Sequence, residues 1–204
     1  WQGEPGHPLK VDAGVLDSLL KALPFTLTQA QERVLRQVLE DLRKLQPMTR
    51  LLQGEVGSGK TVIAAIALLI AVANGYQGAF MAPTEILAEQ HFRTLQSLFQ
   101  QFAHPVWESH FFCFYTPANI PKPVGIGLLT GSLSPKEKKD LHLRIANGGV
   151  DIMVGTHALI QGEVSFDRLG VVVVDEQHRF GVAQRAALRE KGTRPHLLAM
   201  TATP

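Results

Sequence analysis

Apolar residues recur every three to four positions in some stretches and run on continuously in others, so helices and buried strands follow one another along the chain. Residues 1–24 read as a linker and a short helix around 15–22. Thr28 is placed as an N-cap with Gln31 three residues on, ahead of a helix whose apolar face is Val34, Leu35, Val38, Leu39, Leu42 and Leu45. Gln46-Pro47 ends it. Leu51-Leu52 reads as a short strand, and Thr61 to Ala73 as a buried helix, apolar nearly all round, closed by Asn74-Gly75. A strand over 78–82 then leads through Pro83-Thr84 into a helix carrying Leu87, His91, Leu95, Leu98, Phe99 and Phe102 on one stripe. A strand over 124–130 follows, and Ser134-Pro135 with Glu137 opens a charged helix that stops at Asn147-Gly148-Gly149. Strands at 151–154 and 171–174, a helix near 182–191 and a strand near 197–201 complete the pattern.

Strands that alternate with helices and are apolar throughout, such as Val171-Val172-Val173-Val174, imply an α/β domain with a parallel sheet covered by helices on both faces. In such a sheet the loops after the strand C-termini carry function.

One of those loops is Gly54-Glu55-Val56-Gly57-Ser58-Gly59-Lys60-Thr61, which fits the phosphate-binding pattern G-x-x-x-x-G-K-[ST]. Only a glycine-rich turn lets several backbone N–H groups converge on a triphosphate. Lys60 can reach the β- and γ-phosphates, the Thr61 hydroxyl can ligate Mg2+, and the helix N-terminus adds partial positive charge. The competing reading is a glycine-rich surface turn; the strand before it and the buried helix after it argue against that. Asp175-Glu176 sits at the tip of the four-valine strand. Asp175 there can complete a magnesium shell and Glu176 can polarise an attacking water. The bland alternative is an acidic turn capping the next helix.

Composition narrows the class further. With 204 residues, 45% of them hydrophobic, the chain can fill one packed domain. Its net charge of +2 excludes a generic polycation, so any nucleic acid must be held by a few placed donors. The single cysteine, Cys113, excludes an intramolecular disulfide and fits a reducing compartment. No signal peptide is visible, and the apolar run at 62–73 falls short of the roughly 20 residues a membrane span needs. The chain lacks an initiator Met and stops at Thr201-Ala202-Thr203-Pro204, which suggests a piece of a longer protein.

Asp175-Glu176-Gln177-His178 resembles the D-E-x-H signature of superfamily-2 helicases. The longer string from Asp175 to Arg185, with the strings at 81–91, 154–161 and 200–204, resembles the RecG family of bacterial branch-migrating DNA helicases. The likeness runs from about Leu23 to the C-terminus. It implies the first RecA-like motor lobe (25–204) of a cytoplasmic, nucleoid-associated bacterial enzyme that uses ATP and Mg2+ on forks and Holliday junctions, in repair and recombination.

Residue roles follow from matching positions. Gln31, with Phe25 before it, matches the adenine-recognising element, although Gln31 could equally serve only the Thr28 cap. Pro83, Thr84, Thr130, Gly131, Ser132, Thr156 and His157 match loops that grip the sugar-phosphate backbone, a task for hydroxyls and N–H groups that read no base. Thr84 and Thr156 are also simple N-cap candidates. His178 and Thr201, Ala202 and Thr203 match elements that couple hydrolysis to movement. Gln184 and Arg185 match the pattern with no assigned role.

Elsewhere the plain reading stands. His91 is a packed histidine, His104 and His110 lack metal spacing, and Lys136, Lys138 and Lys139 form a solvated helix face. Residues 103–123, rich in aromatics and prolines, depart from the family pattern and read either as an inserted loop packing on itself or as a partner surface. The family's second RecA-like lobe and wedge domain have no counterpart in these residues. The motor of the transcription-repair coupling factor is a rival reading, disfavoured by Gln177. A nucleotide-switched binding module without motor activity and a metabolic or transport NTPase are others, disfavoured by the backbone-gripping strings.

Overall fold

The computed structural model describes residues 6–54, 59–175, 182–190 and 194–202. Among the described residues an eight-stranded sheet runs in the order β1-β8-β7-β2-β6-β5-β4-β3. Its strands are β1 (Thr49–Gly54), β2 (Gln77–Met81), β3 (Val106–Ser109), β4 (Phe112–Tyr115), β5 (Val124–Leu129), β6 (Ile152–Gly155), β7 (Leu169–Asp175) and β8 (His196–Ala202). All pairings from β1 across to β5 are parallel, while β4 and β3 add antiparallel at the far edge.

The parallel part is the RecA-like architecture expected from the alternating pattern. Strand side chains alternate between two cores. Phe80, Ile152, Val154, Val171 and Val173 face one, under α1 (Ala13–Ala22), α2 (Gln29–Leu42), α3 (Lys60–Ala73) and α4 (Glu85–Phe99). Ala79, Met81, Met153, Val172 and Val174 face the other, under α5 (Pro135–Ala146), the 3-10 turn at His157–Leu159 and α6 (Val182–Glu190). A strand buried on both faces has no room for polar alternation, which is why the valine run is continuous.

Helix α3 is the central pillar. Every residue from Val62 to Val72 is buried, and Gly78 of β2 lets it come close: a Cβ there would meet Leu68 Cδ2 at 2.5 Å. On α2 the apolar stripe holds for Leu35, Val38, Leu39 and Leu42, but the helix ends at Leu42 and Leu45 beyond it is 59% exposed.

Residues 103–123, left open between two readings, build the β3–β4 hairpin. Cys113 and Tyr115 point into the core under α4, where the Tyr115 ring meets Phe99 edge-on at 5.8 Å. Phe112 faces the opposite side, beneath the Arg144 guanidinium, and Arg144 also pairs with Glu108 at 2.6 Å. Burial pushes the Cys113 thiol up to about 11, so it stays protonated and unreactive.

The N-terminal segment is stitched down by His196, the first residue of β8. Its Nδ1 accepts from the Met48 N–H at 2.9 Å and its Nε2–H donates to the His7 carbonyl at 2.9 Å. No helix among the described residues is long and apolar enough to cross a membrane.

Candidate active site

The loops at the C-terminal ends of the parallel strands collect most of the expected site residues on one edge of the sheet. Gly54 is the last residue of β1 and pairs in register with Ala202 of β8. Gly59 precedes α3 in the left-handed conformation, φ 86°, and no side chain caps that helix. Lys60, its first residue, donates from Nζ to the carbonyls of Gly54 at 2.9 Å and Thr201 at 2.7 Å. The phosphate-loop lysine thus ties together the ends of β1 and β8, and Thr61 follows half-buried in the first turn.

Both readings of Gln31 meet here. Its Oε1 accepts from the Thr28 N–H at 2.9 Å and its own N–H donates to Thr28 Oγ1 at 3.1 Å, so the capping box is formed. Its Nε2 lies against the phosphate turn, where a Cβ on Gly59 would come within 2.1 Å of it. Gln31, Thr28, Gly54 and Lys60 line one hollow of about 460 Å3. Phe25 is not in it: that ring lies in a neighbouring hollow of about 540 Å3 between α1 and α2 and is 44% exposed.

Asp175 ends β7, in register with Met200 of β8. One strand separates it from β1, which at a spacing of about 4.8 Å puts its backbone roughly 10 Å sideways from the phosphate turn. The two acidic-tip and phosphate-loop elements therefore share an edge. His91 of α4 reaches Asp175 Oδ2 with Nε2 at 2.8 Å. A carboxylate can only accept, so the ring N–H donates. The His91 ring also packs on Phe80, with centroids 4.5 Å apart. Reading His91 as merely packed gave half its role, and no local signal could give the rest.

Thr130, Gly131 and Thr156 also come together, lining a hollow of about 410 Å3 with Glu85 and Lys138. Thr84 caps α4 by accepting from the Leu87 N–H at 3.2 Å, and its hydroxyl hydrogen remains available to donate. Thr156 caps the 3-10 turn with a longer contact of 3.5 Å to the Ala158 N–H. The Thr130 and Ser132 hydroxyls are 2.8 Å apart, and the Gly131 N–H donates to the Glu85 carboxylate. Ser132 faces a different hollow, shared with the hairpin. Pro83 and His157 are half-buried beside these loops. Lys136 and Lys139 are exposed as expected, whereas Lys138 turns to the hollow. Glu85 is a member of this loop cluster that sequence reasoning missed. Glu55, Val56, Gly57, Ser58, Glu176, His178 and Thr203 lie outside the described residues, as does the side chain of Ala202.

Residues 28–204 match the DEAD/DEAH box helicase family, and the chain belongs to it. Within that family its resemblance is to the RecG ATP-dependent DNA helicases. It is 50% identical to that of Synechocystis sp. over 190 residues, 93% of this chain and 20% of the relative. Against that of Bacillus subtilis it is 53% identical over 185 residues, 91% of this chain and 24% of the relative. Among solved structures, a RecG bound to a three-way DNA junction matches with a TM-score of 0.78 and 40% identity, over 98% of this chain and 24% of that one. The chain therefore spans about a fifth to a quarter of the length of these relatives, and the part it matches is the first motor lobe.

Proposed function

We propose that the chain is the first motor lobe of a longer ATP-dependent DNA helicase that remodels forks and Holliday junctions in repair and recombination, acting in the bacterial cytoplasm at the nucleoid. The observation that supports this best is the shared edge, with Lys60 and Asp175 at the tips of strands separated only by β8 and Lys60 bonded to Thr201 of that strand. The RecG structure on a three-way junction points to branched DNA as the substrate.

The residues present suit a nucleotide. A 14-residue helix with no side-chain cap, a left-handed glycine before it and a lysine at its first position together favour a polyphosphate. In this reading Gly54 to Thr61 hold the phosphates, Thr61 and Asp175 would hold Mg2+, and Gln31 meets the adenine edge with Phe25 in the adjoining hollow. When bound, Mg2+ neutralises charge on the phosphate oxygens. His91 orients Asp175, Glu176 holds the attacking water, and His178 with Thr201–Thr203 carries the change to the backbone-gripping loops at Pro83-Thr84, Thr130–Ser132 and Thr156-His157. A second RecA-like lobe supplies arginine fingers, and a wedge domain splits the junction.

ATP binding and turnover by the longer enzyme, with and without forked DNA, test this. Glu176→Gln is expected to keep nucleotide binding and lose DNA-stimulated turnover by roughly 10^2 or more, and Lys60→Ala to lose nucleotide binding or turnover. Normal turnover by Glu176→Gln would overturn the assignment of the water-activating group.

A further inference from the structure

The β3–β4 hairpin does more than lengthen the sheet. Between it and α4 lies a hollow of about 290 Å3 whose walls are of two kinds. Trp107 and His110 of the hairpin and Phe92 of α4 supply flat aromatic surface, and Thr130 and Ser132 of the loop after β5 supply hydroxyls. Trp107 meets Phe92 edge-on, with centroids 6.5 Å apart and an interplanar angle of 80°. Its indole remains 46% exposed. Gln96 also lines the hollow, and its amide nitrogen is buried with no hydrogen-bond partner among the described residues. A buried N–H donor left unpaired is uncommon in a folded chain and marks a place where an acceptor belongs.

We infer that this hollow takes an unpaired nucleobase of the strand whose phosphates lie on the Thr130–Ser132 loop. The inference rests on reading that loop as a grip on the sugar-phosphate backbone. Four features select a base. The hollow lies at the small end of ligand sites, the size for a single ring system. Its aromatic walls offer the stacking partner that every base accepts through its π-face. The Gln96 amide is a donor, and all four bases carry ring or carbonyl acceptors. The hydroxyl pair that would meet the phosphate is part of the same wall, so a nucleotide held there presents its base at the mouth. Aromatic surface beside phosphate donors is the combination that sites for single-stranded nucleic acid share. At a branch point, where strands part, such a base is exposed. The hairpin then makes the lobe sensitive to whether the strand it grips is paired.

The test uses this chain with Trp1→Phe, so that Trp107 is its one tryptophan of the two in the sequence. It is titrated with an oligothymidylate and with an abasic strand of the same length. The base-bearing strand is expected to quench Trp107 emission and to bind about tenfold more tightly, the loss that removing one base–aromatic stack produces. Trp107→Ala and Gln96→Leu should each bring its affinity toward that of the abasic strand while leaving abasic binding unchanged. Gln96→Leu keeps the hairpin and the bulk of the side chain, so its result stands even if Trp107→Ala perturbs the fold. Equal affinities for the two strands with unmoved Trp107 emission would overturn the base site and leave the backbone grip intact. Failure of both strands to bind would overturn the backbone grip, and the base site with it.

Discussion

His91 and Asp175 lie 84 residues apart and meet at 2.8 Å. One sits in a helix stripe that looks purely structural, the other in an acidic turn that looks functional; packing α4 on the sheet makes them a unit. Partners that orient a metal-holding carboxylate typically cost 10- to 100-fold in metal affinity or activity when removed. His91→Ala is therefore expected to raise the Mg2+ concentration needed for half-maximal ATP turnover by about tenfold or more, with Lys60-dependent nucleotide binding retained. A Mg2+ titration of turnover in the longer enzyme checks this, and an unchanged Mg2+ requirement would detach His91 from the site. His196 works in the opposite sense. Burial, opposed by the hydrogen bond to the His7 carbonyl, lowers its pKa from the ordinary 6.5. The unfolded chain then binds this proton more readily than the folded one, so the contribution is complete above about pH 6.5 and falls away as pH drops below it. Thermal unfolding should therefore occur at lower temperature at pH 5.5 than at pH 7.5, and His196→Gln should flatten that dependence while lowering stability at both.

At the scale of elements, α3 was legible because nothing but a buried helix fits an apolar run of that length between a phosphate turn and Asn74-Gly75. Its burial also makes it fragile. Leu68 is fully buried and packs over Gly78, so Leu68→Ala is expected to destabilise the chain by about 2–5 kcal/mol, measurable by chemical denaturation. The β3–β4 hairpin was not legible. Phe111-Phe112-Cys113-Phe114-Tyr115 shows no polar alternation because this strand buries Cys113 and Tyr115 on one side and Phe112 on the other. The prolines on either side masked it further, since they suggest a loop. What holds it to the sheet is pairing with Gly125–Gly127 of β5, contacts that no local pattern announces.

Across the whole molecule the sheet order places β8, the last strand in the chain, between β1 and β7. That arrangement brings the phosphate turn, the Thr201 carbonyl and Asp175 side by side, although they come from opposite ends of the sequence. A lobe with one side of a nucleotide site lacks the arginine donors of a second lobe, which contribute about 10^3 to 10^5 in rate in nucleoside triphosphatases. The 204-residue chain alone is therefore expected to bind nucleotide but to hydrolyse it at least 10^3-fold more slowly than the longer enzyme on forked DNA. Brisk DNA-stimulated turnover by the chain alone would contradict that division of labour.

The order of helices and strands, the parallel sheet and the identity of the phosphate and acidic loops were set by the sequence itself, because periodicity, caps and glycine-rich turns act over a few neighbouring residues. The backbone-gripping and coupling roles came from resemblance of whole strings, which locates residues without giving their contacts. Tertiary structure alone decided that His91 holds Asp175, that Lys60 bonds Thr201, that Glu85 meets Gly131 and that the hairpin forms a hollow beside Thr130. Each of these joins residues far apart along the chain, and only the packing of helices and strands into one sheet fixes which distant side chains become neighbours.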